Sequence, residues 1–189
     1  MPNPFGAVLS VTGLPLGFPG HVTRGGGAPQ NISSKQVLTT TANPIQFGQA
    51  VVIPAGTNSY QSVADFIAGA GTFTPALFAG IAVEEVKTTG SFPSTPGVDV
   101  VGSYAPGDYA DALNFGSIMV TVNNGTPVSQ APVYLRISAN AAVPNGVIGG
   151  FEAVADGVHT VELTGVVFTT GSMDSNNSAE ITLLNRVAA

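Results

Sequence analysis

The sequence predicts an all-β fold, either an antiparallel β-barrel or a jelly-roll-like sandwich, with an extended Gly/Pro-rich arm at its N-terminus. Three observations support this prediction. About eight short apolar or β-branched runs follow one another at close, fairly even spacing and end in turn residues. Only residues 60–70 resemble a helix. The first 34 residues contain seven Gly and five Pro, which interrupt both helices and central strands.

Even spacing of strands and turns indicates an antiparallel sandwich or barrel rather than βαβ units. We expect an irregularity at Gly80 inside the third strand, and a hairpin turn at the sequence Asn123-Asn124-Gly125. The predicted strands are residues 36–41, 48–54, 76–86, 117–122, 132–138, 146–154, 159–170 and 179–187.

One short helix is predicted within residues 60–70. Ser62 and Asp65 have the spacing of a weak capping box, in which the hydroxyl accepts a hydrogen bond from the main-chain N–H three residues later.

The chain divides into an arm, residues 1–34, and a body, residues 35–189. The arm contains a single charged residue, Arg24, and its Gly and Pro content predicts that it contributes no interior strand. A disordered tail is the usual interpretation of such a terminus. Interleaved apolar side chains favour an ordered arm instead: Phe5, Leu9, Leu14, Leu16 and Phe18.

Charged residues make up only 8% of the chain, against about 25% in an ordinary soluble domain. A surface with so few charges is expected where neighbouring proteins cover much of it. The net charge of −6 argues against a nucleic-acid partner, and no apolar run reaches the length of a membrane helix. No secretion signal is visible, and the absence of cysteine excludes disulfides.

The sequence predicts no enzyme, no cofactor and no metal site. Its two histidines, His21 and His159, lie far apart in the chain, and no nucleophile motif is present. Asp108 follows Pro and Gly, which is turn chemistry rather than a catalytic carboxylate pair with Asp111. Residues 174–180 alternate oxygen-bearing side chains but lack the Gly and Glu of a calcium loop, so a solvated hairpin loop is expected.

Several short patterns, in this order, resemble the capsid cement, or decoration, proteins of tailed bacteriophages over roughly residues 36–187. The patterns are FGQAVV (47–52), FAGIAVEEV (78–86), YAPGDYADALNFGSIMVTV (104–122), APVYLRIS (131–138) and GGFEAVADGVHTVELTGVVFTTGSMDSNNSAEITLLN (149–185).

The resemblance implies a β-barrel or jelly-roll-like body that binds the outer face of an assembled phage head and clamps neighbouring major capsid subunits. The implied partners are the major capsid protein and further copies of this chain, as a homodimer or homotrimer. The implied location is the virion, after synthesis in the bacterial cytoplasm. Combined with the arm, this predicts an interface at Phe5, Leu9, Leu14, Leu16, Phe18 and Arg24.

Two alternatives stay open at this stage. The first is a receptor-binding or glycan-binding β-sandwich of a phage tail or adhesin, which would gather Tyr60, Tyr104, Tyr109 and Tyr134 on one surface. The second is a metal-dependent enzyme on a jelly roll, which the two histidines make the weaker hypothesis.

Overall fold

The computed structural model describes residues 17–23, 30–84 and 102–184. Within these ranges, the chain forms strands, one short α-helix and two turns of 3₁₀ helix, at Pro75–Leu77 and Gly157–His159. The helix is α1, Val63–Ala68. The strands are β1 Val22–Thr23, β2 Asn31–Gln36, β3 Ile45–Gln46, β4 Ala50–Val52, β5 Gln61–Ser62, β6 Phe78–Ala82, β7 Ser103–Tyr104, β8 Tyr109–Asn124, β9 Pro132–Arg136, β10 Phe151–Glu152, β11 Thr160–Phe168 and β12 Ser178–Leu183.

The long strand β8 connects the two halves of the fold. Its first half pairs antiparallel with β2 and β6, and its second half pairs antiparallel with β1 and β12. Asn114 of β8 has no residue opposite it in β2, because Asn31 lies opposite Phe115 and Ile32 lies opposite Leu113. Such a bulge bends a strand, which lets β8 serve both halves.

The second half of β8 closes a small barrel. The order of pairing is β8, β12, β11, β9 and β10, and β10 pairs again with β8, in parallel. The ring strands contribute fully buried side chains to one apolar cluster, among them Val120, Leu135, Leu163, Phe168 and Ile181. Closure removes the exposed edges that an open sheet would leave.

The first half of β8 belongs to a sheet with apolar layers on both faces. All five residues of β6 are buried. Phe78 and Ile81 join the apolar cluster of the barrel, whereas Ala79 and Ala82 join a second cluster with Tyr60. The all-β prediction is confirmed by this barrel and sheet, and the two-sided burial explains why β6 reads as a continuous apolar run.

The predicted helix and the predicted irregularity are both confirmed. Ser62 caps α1, since its hydroxyl accepts a hydrogen bond from Asp65 N at 3.1 Å. The register of β4 against β6 shifts beside Gly80, where a Cβ atom would lie 2.6 Å from the carbonyl oxygen of Leu113.

The first predicted strand is wrong in position. The strand is β2, Asn31–Gln36, and the chain turns where residues 36–41 were expected to extend. Thr41 closes this turn, because both its main-chain N–H and its hydroxyl donate to the carbonyl oxygen of Leu38.

The predicted hairpin at Asn123-Asn124-Gly125 is also wrong. Strand β9 does not return along β8 but pairs with β10 and β11, so long-range pairing overrides the local turn signal. The strand before this turn is much longer than residues 117–122, since it begins at Tyr109. Of the strand expected at residues 146–154, the structure forms only the two residues of β10, Phe151–Glu152.

Two described pieces of the predicted arm hydrogen-bond to β8. Val22 lies opposite Ile118, and β2 begins at Asn31. Both pieces are edge strands, since each pairs with β8 and with no other described strand, which agrees with the expectation that residues 1–34 contribute no interior strand. The extended arm itself and the boundary at residue 34 stay predictions, because residues 1–16 and 24–29 lie outside the described residues.

Candidate interaction groove

Main-chain contacts hold residues 17–23 against the body of the protein. Glu84 N donates a hydrogen bond to the carbonyl oxygen of Gly20 at 2.7 Å. Gly20 packs directly on the turn at Gly48, because a Cβ atom on Gly20 would lie 2.9 Å from Gly48 N. Phe18 lies two residues before Gly20 in this segment, and its side chain is 69% exposed.

Beside this segment lies a groove of about 780 Å³, which we call the rim groove because Phe18 stands at its edge. The described residues that line it come from residues 17–23, from β3 and the turn that follows it, from the residues just after β6 and just before β7, from β8, and from β10 and the loop before it. They are Phe18, Pro19, Gln46, Phe47, Gly48, Gln49, Glu84, Gly102, Thr121, Asn123, Val147, Ile148, Gly149, Gly150 and Phe151.

The rim groove offers apolar and amide surface with little charge. Among its described lining residues, Glu84 is the one ionisable side chain, and it faces the ring of His21 with 3.5 Å between Oε2 and Nδ1. Gln46, Gln49 and Asn123 supply amide groups. Apolar pockets combined with amide and main-chain hydrogen-bonding groups suit an extended, uncharged polypeptide.

One wall of the rim groove rests on an aromatic pair. The rings of Phe47 and Tyr104 meet edge to face, with 5.2 Å between their centroids. Tyr104 is fully buried and its hydroxyl donates to the carbonyl oxygen of Val83 at 2.8 Å. Phe47 N donates to the carbonyl oxygen of Gly102 at 3.0 Å. These contacts join the wall to β7 and to the residue that follows β6.

A second part of the lining is the loop at residues 147–150, which is tied to β9. Gly149 N donates to the carbonyl oxygen of Arg136 at 2.8 Å, and Arg136 N donates to that of Gly150 at 3.0 Å. Val147 projects from this loop with 57% of its surface exposed.

A buried ionic cluster anchors the same loop. Arg136 and Glu152 are both fully buried, and Arg136 Nε pairs with Glu152 Oε1. Arg136 Nη2 donates to Asp156 Oδ2 at 2.7 Å, and Asn140 Nδ2 donates to both carboxylate oxygens of Asp156 at 2.9 Å. Arg136 Nη1 also donates to the carbonyl oxygen of Ser138 at 3.2 Å. The cluster joins β9, β10 and the loop after β10.

These contacts move two pKa values. The hydrogen bond to Glu152 raises the pKa of Arg136 above its usual value, so the guanidinium stays charged although it is buried. Hydrogen bonds from Asn140 and then from Arg136 hold the pKa of Asp156 below its usual value. Because its charges are paired and hydrogen-bonded, the cluster is a structural anchor for the loop.

The structure places one of the six predicted interface residues. Phe18 stands on the edge of the rim groove. The other five lie outside the described residues, so their predicted role stays a prediction: Phe5, Leu9, Leu14, Leu16 and Arg24.

Sequence reasoning missed the walls of the rim groove. Phe47 and Val147 belong to the segments FGQ and NGVIGG, whose glycines indicate turns in which the main chain is accessible. Those turns are far apart in the sequence, and only the folded chain brings them together.

The residues weighed for catalysis have structural partners. His21 faces Glu84, whereas His159 Nδ1 lies 2.8 Å from the hydroxyl of Ser138. Asp108 accepts a hydrogen bond from Ala105 N, which confirms its turn role. In residues 17–23, 30–84 and 102–184, no group of three His, Cys, Asp or Glu side chains could hold a metal ion.

The loop at residues 174–178 closes on itself. Asp174 Oδ1 accepts hydrogen bonds from Asn176 N at 2.9 Å and Ser178 N at 2.8 Å. The prediction of a hairpin loop between β11 and β12 is confirmed, since these two strands pair antiparallel.

The tyrosines do not form the shared surface that glycan binding would need. Tyr60 and Tyr104 are fully buried, while Tyr109 is 71% exposed. Aromatic rings stack on sugars only where their faces are accessible. The described structure therefore lacks the shared tyrosine surface that was expected of a receptor-binding or glycan-binding sandwich.

No helix in the described part of the chain is long and apolar enough to cross a membrane. The fold and the rim groove together define an all-β protein with a surface groove whose lining suits another polypeptide. This is the class of structural and interaction proteins.

The chain belongs to the phage cement family, because the model of that family, described as structural cement protein (E217 gp24/Pam3 gp6), matches residues 9–184. Membership confirms the resemblance seen in the sequence, and the family is one of structural proteins. A search of the curated proteins finds no match.

Solved structures support the fold. One chain of a structure described as "The capsid of Myoviridae Phage XM1" is 22% identical in sequence and superposes with a TM-score of 0.61. The match covers 98% of this chain and 99% of that chain. The whole described architecture therefore has a counterpart in a phage capsid structure.

Proposed function

We propose that this chain is a cement protein that binds the outer surface of an assembled phage head and bridges neighbouring major capsid subunits. The observation that carries the proposal is the family match over residues 9–184. The low content of charged residues, 8%, agrees with a surface that neighbouring subunits cover. The proposed location is the virion, after synthesis in the host cytoplasm.

The proposed effect on the head is stabilisation by mass action. A protein that binds the assembled shell but not its separated subunits lowers the free energy of the assembled state. A chain that contacts two subunits at once binds the head more tightly, because the first contact raises the effective concentration for the second. No catalytic group is needed for this role.

We assign the contacts to the N-terminal residues and to the edge of the rim groove. Phe18 supports this assignment, because a phenylalanine that is 69% exposed leaves apolar surface for a partner to cover. The assigned contact residues are Phe5, Leu9, Leu14, Leu16, Phe18 and Arg24.

The first test adds purified chain to phage heads that lack it and to unassembled major capsid protein. We expect co-sedimentation with heads at a fixed, saturable ratio to the major capsid protein, and little binding to separated subunits. We also expect decorated heads to release their DNA at a higher temperature. A handful of copies per head, or no change in that temperature, would contradict the proposal.

The second test maps the contacts. Deleting residues 1–16 leaves every described strand in place, whereas deleting residues 1–34 would also remove β1 and most of β2. We expect the shorter deletion and Phe18→Ser each to weaken head binding at least tenfold. Val158→Ser is the control, because Val158 is 83% exposed but does not line the rim groove. Equal binding by all variants would overturn the assignment of contacts.

A further inference from the structure

We propose that an extended strand of the major capsid protein adds to the edge of β2 at residues 31–35 and is held there by main-chain hydrogen bonds. The inference rests on the proposed function. It adds a second mode of head recognition, because β2 contains none of the contact residues assigned above.

Alternate residues of β2 turn their main-chain groups away from β8. The carbonyl oxygen of Gln36 accepts a hydrogen bond from Tyr60 N, on the side of the strand that faces away from β8. Because main-chain groups alternate along a strand, those of Ile32 and Ser34 point to this side as well. No described strand pairs with β2 on that side.

The register of β8 gives the same assignment. Asp111 lies opposite Ser34, and the carbonyl oxygen of Asp111 accepts from Val83 N on the side of β8 that faces β6. A residue of β8 that bonds away from β2 leaves its opposite residue without a ladder hydrogen bond. The main-chain N–H and C=O of Ser34 are therefore directed to the open edge.

The open edge has room for a strand of about five residues. Residues 58–60 cover the C-terminal end of β2, where Lys35 Nζ donates to Asn58 Oδ1 at 2.7 Å. Before this point, residues 31–35 provide about 16 Å of strand. The side chain of Ile32 is 44% exposed and supplies apolar surface for the added strand to cover.

This edge lacks the features that normally block strand addition. The strand NISSKQ contains no proline, and its one lysine, Lys35, donates to Asn58. The carboxylate of Asp111 accepts a hydrogen bond from Ser34 Oγ. An uncharged incoming strand meets no unpaired charge at these residues, and edges without protection pair with other chains.

The position of β2 favours the major capsid protein as the partner. Gln30, directly before β2, donates through Nε2 to the carbonyl oxygen of Thr23 at 2.8 Å. This bond holds the start of β2 beside residues 17–23, which include the assigned head contact Phe18. The open edge is therefore continuous with the proposed contact surface.

A second copy of β2 fits this edge poorly. In antiparallel pairs centred on Ser33 or Ser34, a residue of one copy would lie opposite Gln36 of the other. Tyr60 already occupies that position, since its N–H donates to the carbonyl oxygen of Gln36 at 2.8 Å. A strand of another protein can end before Gln36 and avoids the collision.

Proline at position 34 tests the main-chain pairing. Ser34→Pro removes an N–H that points away from β8, so the ladder between β2 and β8 keeps its hydrogen bonds. Ser34→Ala is the matched control, because both variants lose the side-chain hydrogen bond to Asp111. With phage heads that lack the chain, we expect Ser34→Pro to weaken binding at least tenfold and Ser34→Ala less than twofold. Ile32→Pro removes the other outward N–H and should act in the same way.

A cysteine at position 32 identifies the partner, because the chain contains no cysteine. Ile32→Cys is labelled with a thiol-reactive photo-cross-linker, bound to heads and irradiated. We expect the cross-linked peptide to belong to the major capsid protein. Val158→Cys, at an exposed position outside β2, should give at least tenfold less of this product.

Three results would overturn the inference while the proposed function stands. They are equal head binding by folded Ser34→Pro and the parent, a cross-link from position 32 to a second copy of this chain, and no cross-link on decorated heads. If neither proline variant folds, the cross-link decides. A parent chain that does not bind heads would refute the proposed function, and this inference with it.

Discussion

Arg136 and Glu152 form an ion pair between neighbouring strands of the barrel, and both side chains are fully excluded from solvent. Arg136 Nη2 donates to Glu152 Oε2 at 3.0 Å, and Asn124 Nδ2 approaches the same oxygen at 3.3 Å. The pair joins β9 to β10 at the point where the loop at residues 147–150 forms a wall of the rim groove. Its integrity therefore affects both stability and the shape of the groove.

Removing one partner of this pair should be strongly destabilising. Glu152→Leu leaves the buried guanidinium of Arg136 with only Asp156 as a charged partner, at an expected cost of about 3–5 kcal/mol. The double variant Arg136→Met/Glu152→Leu should lose much less than the sum of the two single variants. Denaturant unfolding of the four proteins measures this coupling. Additive losses would show that the two side chains act independently.

Acid should weaken the contribution of Asp156. The pKa of Asp156 is lower in the folded chain than the usual value of about 3.9, so its stabilisation is present above that value. This contribution of Asp156 is lost as the pH falls below the usual value of about 3.9 and then through the lowered pKa of the folded chain. We expect Asp156→Asn to be less stable than the parent at pH 7, and the difference to shrink below pH of about 4. A difference in unfolding free energy that is constant from pH 7 to 2 would contradict this.

Alkali should weaken the attachment of β2. Burial raises the pKa of Tyr60 above its usual value of about 10, and the hydroxyl lies 2.7 Å from Ser33 Oγ on β2. The contribution of Tyr60 to the free energy of unfolding is complete below pH of about 10. It is lost as the pH rises through the raised pKa of Tyr60, because the buried phenol must then ionise.

Tyr60→Phe tests this dependence. The variant should cost about 1 kcal/mol at pH 7, since it removes the hydrogen bond, and should lose less stability than the parent between pH 9 and 11. Unfolding curves across that range measure both effects. Parallel pH profiles for the parent and the variant would refute the role of Tyr60.

The close approach of Gly20 to Gly48 should be essential for the edge of the rim groove. Gly20 has φ of +87°, and a Cβ atom there would also lie 2.8 Å from the Phe47 Cβ. Gly56 is the matched control, because it has φ of +79° and a Cβ atom added there would meet nothing within 4 Å beyond its chain neighbours.

Gly56→Ala should cost only the backbone strain, about 1–2 kcal/mol, whereas Gly20→Ala adds the steric clash and should release residues 17–23. Limited proteolysis at this segment and unfolding free energies distinguish the two variants. Equal losses of stability and equal cleavage would show that the contact does not hold the segment.

The local patterns of the chain predicted most of its elements. Apolar or β-branched runs that end in turn residues located β4, β6, β9, β11 and β12, and the spacing of Ser62 and Asp65 predicted the capped helix. These signals depend on neighbouring residues alone. The misplaced first strand and the hairpin that does not form are the places where a local preference, for extended backbone at residues 36–41 and for a tight turn at residues 123–125, gave way to pairing with distant partners.

The amino-acid sequence by itself determined the all-β class, the scarcity of charge and the resemblance to phage cement proteins, because these depend on composition and on short ordered motifs. Only the tertiary structure decided which strands close the barrel, and it brought Phe18, Phe47 and Val147 around one groove. It also paired Arg136 with Glu152. Contacts between residues far apart in sequence leave no periodic signal, since they are selected by the free energy of packing the whole chain.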